Sequence, residues 1–494
     1  MNNMKKVSYL WIFAFVMLLG WSCNDDDDAI QIDPGNENIE IQDFIWGGLN
    51  LWYLFQPNVP DLADDRFNSE NEYLEFLASE PTPEDFFESL LFNRGTVDRD
   101  SWIVDDYIEL ENNFAGISKS NGVEFGLARI SATSNDLFGY VRYILPNSDA
   151  SDKDIRRGDA FTRVNGTQLT IDNYRDLLYS DLDTYTLDLA SIQNGALVDN
   201  RRSVELTKFE YTENPVLIAK TFDEGGRKIG YLLYNYFNRS FDDELNDAFL
   251  QFKNEGVTDL IVDLRYNPGG FGSSAIALGS MITGQFQGEV FSRDQWNPKI
   301  QAELEQFQPD WLVDKFSNQL TNGRSINSLN LNSVHFIVTG NSASASESTI
   351  SGLQPYIDVT LVGTLTYGKY TGSITLYDSE DFGRDGANPN HLYAMQPLVL
   401  QYVNSLGQSV RGGLTPDIER IENLSDMGIL GERNEPLLNV AINDIVGGLA
   451  KFEEFKFQEF EMISSPKLFS PMSDMIVDKP GLRKALGDLR KRNK

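Results

Sequence analysis

A short run of alternating serines and alanines is the first candidate for chemistry in this sequence. Ser344 lies in the run NSASASE, residues 341–347, which follows an apolar strand ending at Val338 and precedes an apolar helix. A serine at a strand-to-helix turn gains exposure and support from the helix dipole, which suits a nucleophile. The same residue types also form an ordinary helix start with a capping box. The run alone leaves both interpretations open, and Glu347 is interpreted as a helix cap.

A lysine 25 residues after Ser344 could act as a general base. Lys369 ends the segment GTLTYGK, residues 363–369, a glycine-flanked turn that follows another apolar strand. A free lysine has a pKa of about 10.4, so a base at neutral pH needs burial that disfavours the ammonium form. The neutral amine must lie within about 3 Å of the serine hydroxyl. We therefore expect no carboxylate close to Lys369, because it would restore the charge.

A pair of glycines could bind the oxygen of a reacting carbonyl group. Residues 263–270 read DLRYNPGG and close a third buried strand. Glycines in such a loop let backbone N–H groups approach a substrate oxygen closely. A nucleophile, a base and oxyanion donors together would support acyl transfer through a covalent intermediate.

The sequence pattern of the region before these motifs predicts short strands and turns. Residues 114–208 contain Phe125-Gly126-Leu127, then a proline turn, a Gly-Asp pair and an Asn-Gly turn. This order resembles a PDZ domain. The resemblance implies that loop amides at Phe125, Gly126 and Leu127 hold the terminal carboxylate of a peptide, which adds a strand to the sheet edge.

The serine run, the lysine turn and the glycine pair, in this order and spacing, resemble the S41 family of carboxyl-terminal processing peptidases. The resemblance covers residues 114–423 and includes GLTPD at residues 413–417, similar to the family's closing Pro-Asp turn. It implies an α/β core of the crotonase/ClpP-like type, with Ser344 as the nucleophile and Lys369 as the general base.

The resemblance also assigns the remaining members of the site. It implies an oxyanion hole made by the backbone amides of Ala345 and of Gly269 or Gly270. The family's third member, Gln or Glu, corresponds to Ser373 here, which could orient Lys369 through a hydrogen bond. No metal and no organic cofactor is implied.

A histidine triad is the rival arrangement. The sequence contains only two histidines, His335 in the strand before the serine and His391 in a loop. A triad of Ser344, His391 and an aspartate is possible, but no nucleophile-elbow spacing supports it. We interpret both histidines as structural.

Composition excludes several other classes of function. The chain has 494 residues with 74 acidic and 41 basic side chains, a net charge of −33. Nucleic-acid binding needs a basic face, so no nucleic-acid partner is expected. One cysteine excludes a disulfide framework and a cysteine-rich zinc site, and two histidines exclude a histidine-rich metal site.

The sequence pattern predicts a multidomain α+β protein. Aromatic residues at helical spacing indicate a small N-terminal helical domain, and apolar strands alternating with helices indicate an α/β core whose sheet is buried on both faces. The segment beyond Glu435 is predicted to be helical. The expected divisions are a signal peptide (1–22), an acidic tether (23–40), the helical domain (41–113), a PDZ-like β domain (114–212), the peptidase core (213–425), and a C-terminal helical segment with a basic tail (426–494).

The N-terminus has the pattern of an export signal. Lys5 and Lys6 precede an apolar run of 11 residues, 9–19, which is too short to span a bilayer. The segment LGWSC, ending at Cys23, resembles the lipobox of bacterial lipoproteins, and the acidic run 25–28 resembles a surface-export signal. The expected location is the cell envelope of a Gram-negative bacterium, lipid-anchored in the outer membrane and exposed at the surface. Simple repulsion from the membrane is the alternative account of the acidic run.

The combined reading is an exported serine endopeptidase that cleaves exported or unfolded polypeptides, with their C-termini bound at the PDZ-like domain. The alternative is a non-catalytic peptide-binding lipoprotein on a decayed protease scaffold. An intact Ser344, Lys369 and Gly269-Gly270 argue against decay, while Ser373 in the third position keeps the alternative open.

The lipobox interpretation predicts that Cys23→Ala abolishes membrane retention, because the short apolar run cannot anchor the protein without a lipid. Fractionation of expressing cells, with Ser22→Ala as the matched control, measures this. Retention of the Cys23→Ala protein in the membrane fraction would contradict the interpretation.

Overall fold

A computed structural model describes residues 38–180, 182–193, 195–448, 460–464, 475–479 and 481–482. The predicted signal peptide, the lipidation site Cys23, residues 23–37 of the acidic tether and the basic end 483–494 lie outside the described residues. Within the described ranges, every helix falls short of the length and apolar character that a bilayer span requires.

The first described segment is mostly helical. It consists of α1 (Asn38–Trp52), α2 (Glu70–Leu77), α3 (Pro83–Ser89), β1 (Trp102–Val104) and α4 (Tyr107–Phe114). Side-chain oxygens of Ser69, Thr82 and Asp106 accept backbone N–H groups and start the last three helices. The apolar face of α1 is buried in one cluster with Leu376 and Leu400, so these helices share a core with later parts of the chain.

A twisted antiparallel sheet follows. The elements of this region are β2 (Ile117–Ser120), β3 (Val123–Arg129), β4 (Leu137–Ile144), β5 (Ala160–Val164), β6 (Thr167–Gln168), α5 (Tyr174–Leu178), β7 (Thr184–Gln193), β8 (Ala196–Thr207) and β9 (Phe209–Thr212). The strands β2 and β9 pair with each other in a separate two-stranded sheet. The strands β3, β4, β5, β7 and β8 are neighbours in that order, and α5 packs against their apolar face.

The largest part of the chain alternates strands and helices. Its elements are β10 (Val216–Glu224), β11 (Arg227–Tyr234), α6 (Asp242–Glu255), β12 (Asp259–Asp263), β13 (Gly270–Phe271), α7 (Gly272–Ile282), β14 (Val290–Trp296), α8 (Pro298–Phe307), β15 (Val313–Lys315), β16 (Ser333–Val338), α9 (Ala345–Leu353), β17 (Asp358–Gly363), β18 (Thr371–Ser373), β19 (Leu376–Tyr377), β20 (Ala394–Gln396), β21 (Leu398–Asn404), β22 (Ile418–Glu419) and α10 (Pro436–Ile445). Short 3-10 turns lie at Gln56–Asn58, Pro60–Leu62, Asp149–Asp152, Arg239–Phe241 and Pro309–Leu312.

The central sheet has the strand order β10-β11-β12-β16-β17-β22. All its neighbours pair in parallel except β10, which runs antiparallel at one edge. Along β12, Leu260 and Val262 face the cluster formed with α6, α7 and α9, whereas Ile261 faces the cluster formed with α10. The expectation of a sheet buried on both faces is confirmed.

The order of the central strands brings the three sequence motifs together. The strands β12, β16 and β17 are adjacent and parallel, and each motif follows the carboxyl end of one of them. Side chains at the carboxyl ends of parallel strands meet at one edge of the sheet. The glycine pair, the serine run and the lysine turn therefore leave the sheet as neighbouring loops.

The C-terminal segment differs from its prediction. The helix α10 is present, but the segment after it contains two strands, β23 (Met462–Ser464) and β24 (Met475–Ile476). The strand β23 pairs with β3, and β24 lies in a second sheet of order β13-β24-β18-β21-β14-β15. Open strand edges elsewhere in the fold supply hydrogen-bond partners that local helix propensity cannot reveal.

Candidate active site

Ser344 occupies a strained turn between β16 and α9. Its backbone has φ 59° and ψ −115°, a conformation that favours glycine. Its side chain is fully buried, not exposed as expected at such a turn. Its Oγ has no hydrogen-bond partner among the described residues, so the expected contact of about 3 Å with the Lys369 amine is not formed in this structure. The neighbouring hydroxyls are both engaged, because Ser342 donates to the Leu264 carbonyl at 2.7 Å and Ser346 to the Asn267 carbonyl at 3.0 Å. Within the serine run, only Ser344 offers an unengaged hydroxyl.

The glycine loop lies directly against Ser344. A Cβ atom placed on Gly269 would lie 2.6 Å from the Ser344 Cβ and 2.9 Å from its Oγ, so no side chain fits there. The Gly269 N–H donates to the Asn267 side-chain oxygen at 3.0 Å. That amide is engaged within the loop, while Gly270 pairs with Phe237 and with Met475 of β24. The Ala345 N–H is in the first turn of α9, where backbone donors lack a partner within the helix.

Asn267 joins the glycine loop to the serine turn. Its side-chain amide donates to the Tyr234 carbonyl at 2.8 Å, and its own carbonyl accepts the Ser346 hydroxyl. The Ala343 N–H also donates to that carbonyl, at 3.2 Å. Since Asn267 is fully buried, these bonds set the distance between the two loops.

Lys369 is almost completely buried, and a carboxylate lies beside it. Its side chain is 2% exposed, and Nζ lies 3.4 Å from Oδ1 of Asp100. The expectation that no carboxylate lies close to Lys369 is therefore wrong. The sequence could not reveal Asp100, because this residue comes from the N-terminal segment and reaches the lysine only through the tertiary fold.

Local hydrogen bonds place Asp100 at the lysine. The buried Asp98 carboxylate accepts the N–H groups of Asp100 and Ser101, at 3.1 and 2.9 Å, which closes a tight turn. The Ser101 hydroxyl then accepts the Leu398 N–H at 3.0 Å, while β1 pairs with β20. These contacts fasten the turn to the strands that surround Lys369.

Glu347 holds the serine turn and the lysine turn together. Its Oε2 accepts the N–H groups of Ser344 at 3.0 Å and Lys369 at 2.8 Å. Its Oε1 accepts the Gly368 N–H at 2.7 Å and the Thr366 hydroxyl at 2.5 Å. Burial raises the pKa of Glu347 to about 7, although each of the four hydrogen bonds acts to lower it. Glu347 caps α9, as expected, and also binds the lysine turn.

Tyr402 on β21 makes a second connection between the two turns. Its hydroxyl lies 2.8 Å from the Lys369 carbonyl oxygen and 3.1 Å from the Ser344 carbonyl oxygen, and donates to this pair. Burial raises the pKa of Tyr402 well above its usual value, with a contribution from the charge of Glu347. The hydroxyl therefore stays protonated and remains a donor. Nothing in the local sequence around Tyr402 signals this role.

Ser373, the predicted third member, does not orient the lysine in this structure. It is fully buried in β18, and its Oγ has no hydrogen-bond partner within the described part of the chain. The carboxylate of Asp100 contacts the Lys369 amine instead. The side-chain amide of Gln396, opposite Trp102 in the β1–β20 pair, is also buried without a hydrogen bond to the described residues.

Both histidines bind aspartates away from the serine hydroxyl. The Nε2 atom of His335 lies 2.9 Å from Asp444, and that of His391 lies 3.0 Å from Asp378. Neither bonds to Ser344, which agrees with their interpretation as structural residues.

The predicted carboxylate-binding loop is part of a strand. Phe125, Gly126 and Leu127 lie within β3, which pairs with β4 on one side. On the other side, Leu127 is opposite Ser464 and Ala128 is opposite Met462 of β23. Because all three residues pair with β4, and Leu127 also pairs with β23, the structure does not show the expected loop of free amides.

A buried ion-pair network joins the antiparallel sheet region to the glycine loop. Arg265, fully buried, lies 2.7 Å from Asp263 and 2.6 Å from Glu435. Arg157, from the antiparallel sheet region, lies 2.6 Å from Glu422, which is 3.2 Å from Arg265. Burial alone would raise the pKa of Glu422, but the two arginines lower it to about 2. The network orients the loop that begins at the end of β12.

Two protein-family models match the chain. The model of peptidase family S41 matches residues 228–420, and the model of the peptidase S41 N-terminal domain matches residues 40–102. The first match contains the serine, lysine and glycine motifs, and the second contains Asp100.

Two proteins with related sequences are named as a serine protease and a C-terminal processing peptidase. The chain is 22% identical over 226 residues to a Staphylococcus aureus N315 protein named "Probable CtpA-like serine protease", covering 46% of this chain and 40% of that protein. It is 28% identical over 149 residues to the chloroplastic C-terminal processing peptidase of Tetradesmus obliquus, covering 28% of this chain and 32% of that protein. The chain thus spans less than half the length of either relative.

A solved structure has the same fold over most of the chain. It is a crystal structure of a Bacteroides fragilis NCTC 9343 protein assigned to the S41 proteases, with a TM-score of 0.61 and 23% identity. The similarity covers 82% of this chain and 97% of that one.

The position of Glu347 predicts a large effect of Glu347→Gln on stability. The substitution replaces one acceptor oxygen by an NH₂ group facing two donors, so two hydrogen bonds are lost. We expect the free energy of unfolding to fall by about 2–4 kcal/mol, measured by urea unfolding followed by circular dichroism. Glu205→Gln, at an exposed strand position, is the control, and equal stability of the two variants would contradict the role of Glu347.

Proposed function

This chain belongs to peptidase family S41, and on that premise we propose that it is a serine endopeptidase of the carboxyl-terminal processing type that acts through Ser344 and Lys369. The observation that carries the proposal is the buried Ser344 hydroxyl, which has no hydrogen-bond partner among the described residues and lies against Gly269. An unpaired buried hydroxyl costs free energy, so its retention calls for a functional reason. A purely peptide-binding scaffold would have no need for this arrangement.

The reaction proceeds in two acyl-transfer steps. Ser344 Oγ attacks the carbonyl carbon of a peptide bond while its proton passes to the neutral Lys369 amine. The oxyanion is stabilised by the N–H groups of Gly270 and Ala345, and the proton on Lys369 then passes to the leaving amine. Water attacks the acyl-enzyme by the same route, releasing the new carboxyl terminus and restoring the serine.

Asp100 acts as a positioning residue for Lys369 in this proposal. A carboxylate at 3.4 Å orients the amine, as the family's Gln or Glu would do from the place of Ser373. The same carboxylate stabilises the ammonium form and opposes formation of the neutral base. Activity should therefore rise towards alkaline pH.

The proposal extends to substrates and location. We propose that the substrates are exported or unfolded polypeptides recognised through their C-terminal segments, bound as an added strand at the edge of β3. We propose that the protein is exported and lipid-anchored at Cys23 in a Gram-negative envelope, at the outer membrane. The acidic run 25–28 supports a solvated tether between the anchor and the folded part.

We predict that Ser344→Ala abolishes cleavage of an unfolded polypeptide while the circular dichroism spectrum and unfolding midpoint stay unchanged. Ser342→Ala and Ser346→Ala are matched controls that remove structural hydrogen bonds, each costing about 1 kcal/mol of stability. Both should keep activity. Loss of activity in either control, with Ser344→Ala active, would place the nucleophile elsewhere in the run.

We predict that Lys369→Ala and Lys369→Arg are both inactive, since a guanidinium group stays protonated at any usable pH. His391→Ala and His335→Ala should retain the chemistry. Turnover of one peptide substrate by the four folded variants measures this. Activity in Lys369→Ala together with its loss in His391→Ala would replace the lysine by a histidine base.

We predict that Asp100→Asn shifts the acidic limb of the pH–rate profile to lower pH, because the ammonium form loses its counter-charge. The maximal rate at high pH should fall, because the amine is less well oriented. Asp105→Asn, an exposed neighbour, is the control. An unchanged profile in Asp100→Asn would show that the carboxylate has no influence on the base.

A further inference from the structure

The strand β24 separates two strands of the candidate active site. Met475 is opposite Gly270 of β13 on one side and opposite Gly372 of β18 on the other, and both pairings are parallel. The Val477 N–H also donates to the Ser373 carbonyl at 2.9 Å. The chain's own C-terminal segment thus lies between the glycine loop and the strand that follows Lys369.

The space that β24 fills has the dimensions of one extended polypeptide. Neighbouring strands lie about 4.8 Å apart, and β13 and β18 are linked in the sheet only through β24. Without β24, each strand would present unpaired N–H and C=O groups to the gap. Gly270, a proposed oxyanion donor, lies at one wall of the gap, and β18 begins two residues after Lys369. An extended peptide bound between β13 and β18 would therefore lie next to Gly270 and to the strand that follows Lys369.

The same C-terminal segment also occupies the edge of β3. The strand β23 pairs with β3 in antiparallel fashion, and the Arg129 N–H donates to the Glu461 carbonyl at 2.9 Å. Ile463 packs against the apolar cluster that contains Phe125 and Leu127. The Phe460 ring meets the Phe138 ring with centroids 4.9 Å apart. These contacts are those of strand addition with an apolar side-chain anchor.

Two buried polar contacts fasten the segment at the slot. The Lys479 ammonium lies 2.6 Å from Asp294 and 3.1 Å from Asp314. The Ser273 hydroxyl, in the first turn of α7, donates to Asp478 at 2.6 Å. Separating the partners of a partly buried ion pair destabilises the protein, because each charge is left without its partner. These contacts therefore hold β24 in register.

We propose that the slot between β13 and β18 is a binding site for an extended polypeptide, and that residues 475–479 occupy it as an intramolecular inhibitor. This inference rests on the proposed function, because it assigns a regulation to the same active site. A tethered segment competes at an effective concentration in the millimolar range. An incoming polypeptide must therefore displace residues 475–479 from the slot, and residues 460–464 from the edge of β3.

The kinetic test compares full-length wild type with Lys479→Ala and Ile476→Pro on one peptide substrate. Lys479→Ala removes the ion pairs, and Ile476→Pro removes a ladder N–H group and leaves the ion pairs in place. If the segment fills the slot nine-tenths of the time in wild type, either variant should lower KM by about tenfold with kcat unchanged. Lys253→Ala, at an exposed helix position, is the control. A folded variant with unchanged KM or with lower kcat would overturn the inference.

A binding test separates this inference from the proposed function. The full chain with Ser344→Ala is mixed with a synthetic peptide of residues 471–482, PMSDMIVDKPGL, and hydrogen exchange is followed at residues 475–477. Competition for the slot predicts faster exchange there as the peptide concentration rises, with a scrambled peptide inert. Unchanged exchange at saturating peptide would overturn the inference. If the peptide speeds exchange but the wild-type chain cleaves no polypeptide, the inference stands and only the proposed function is refuted.

Discussion

The active-site geometry depends on one buried carboxylate. Glu347 accepts four hydrogen bonds, three from the turn of Lys369 and one from Ser344. Since Ser344 and Lys369 follow different strands, β16 and β17, their relative position is set by whatever spans the two loops. A rotation of this side chain would release both turns at once. Tyr402 repeats the connection from the opposite sheet through the two carbonyl groups.

The N-terminal helices pack against the strands around the candidate active site. Their apolar side chains share a cluster with Leu376, Leu400 and Met475, and the Asp98 turn delivers Asp100 to the lysine. The sequence pattern predicts a boundary between the helical domain (41–113) and the later core. The residues around Lys369 nevertheless come from both sides of that boundary. The charge environment of Lys369 therefore depends on residues from both segments.

Local patterns predicted the parts of the site that directly follow apolar strands. Ser344, Lys369 and Gly270 each follow an apolar strand, and parallel adjacent strands place such loops at one edge. Asp100 could not be predicted, because its position depends on pairing between β1 and β20, nearly 300 residues apart. The helical prediction was wrong at residues 462–464 and 475–476 for the same reason, because the edges of β3, β13 and β18 determine their conformation.

The backbone of Ser344 has an evolutionary consequence. A non-glycine residue held at φ 59° costs on the order of 1–3 kcal/mol, and glycine at that position would recover part of this cost. Ser344→Gly would therefore raise the free energy of unfolding. The serine is thus the less stable choice at its own position, and it persists only where selection for its hydroxyl outweighs selection for a more stable fold.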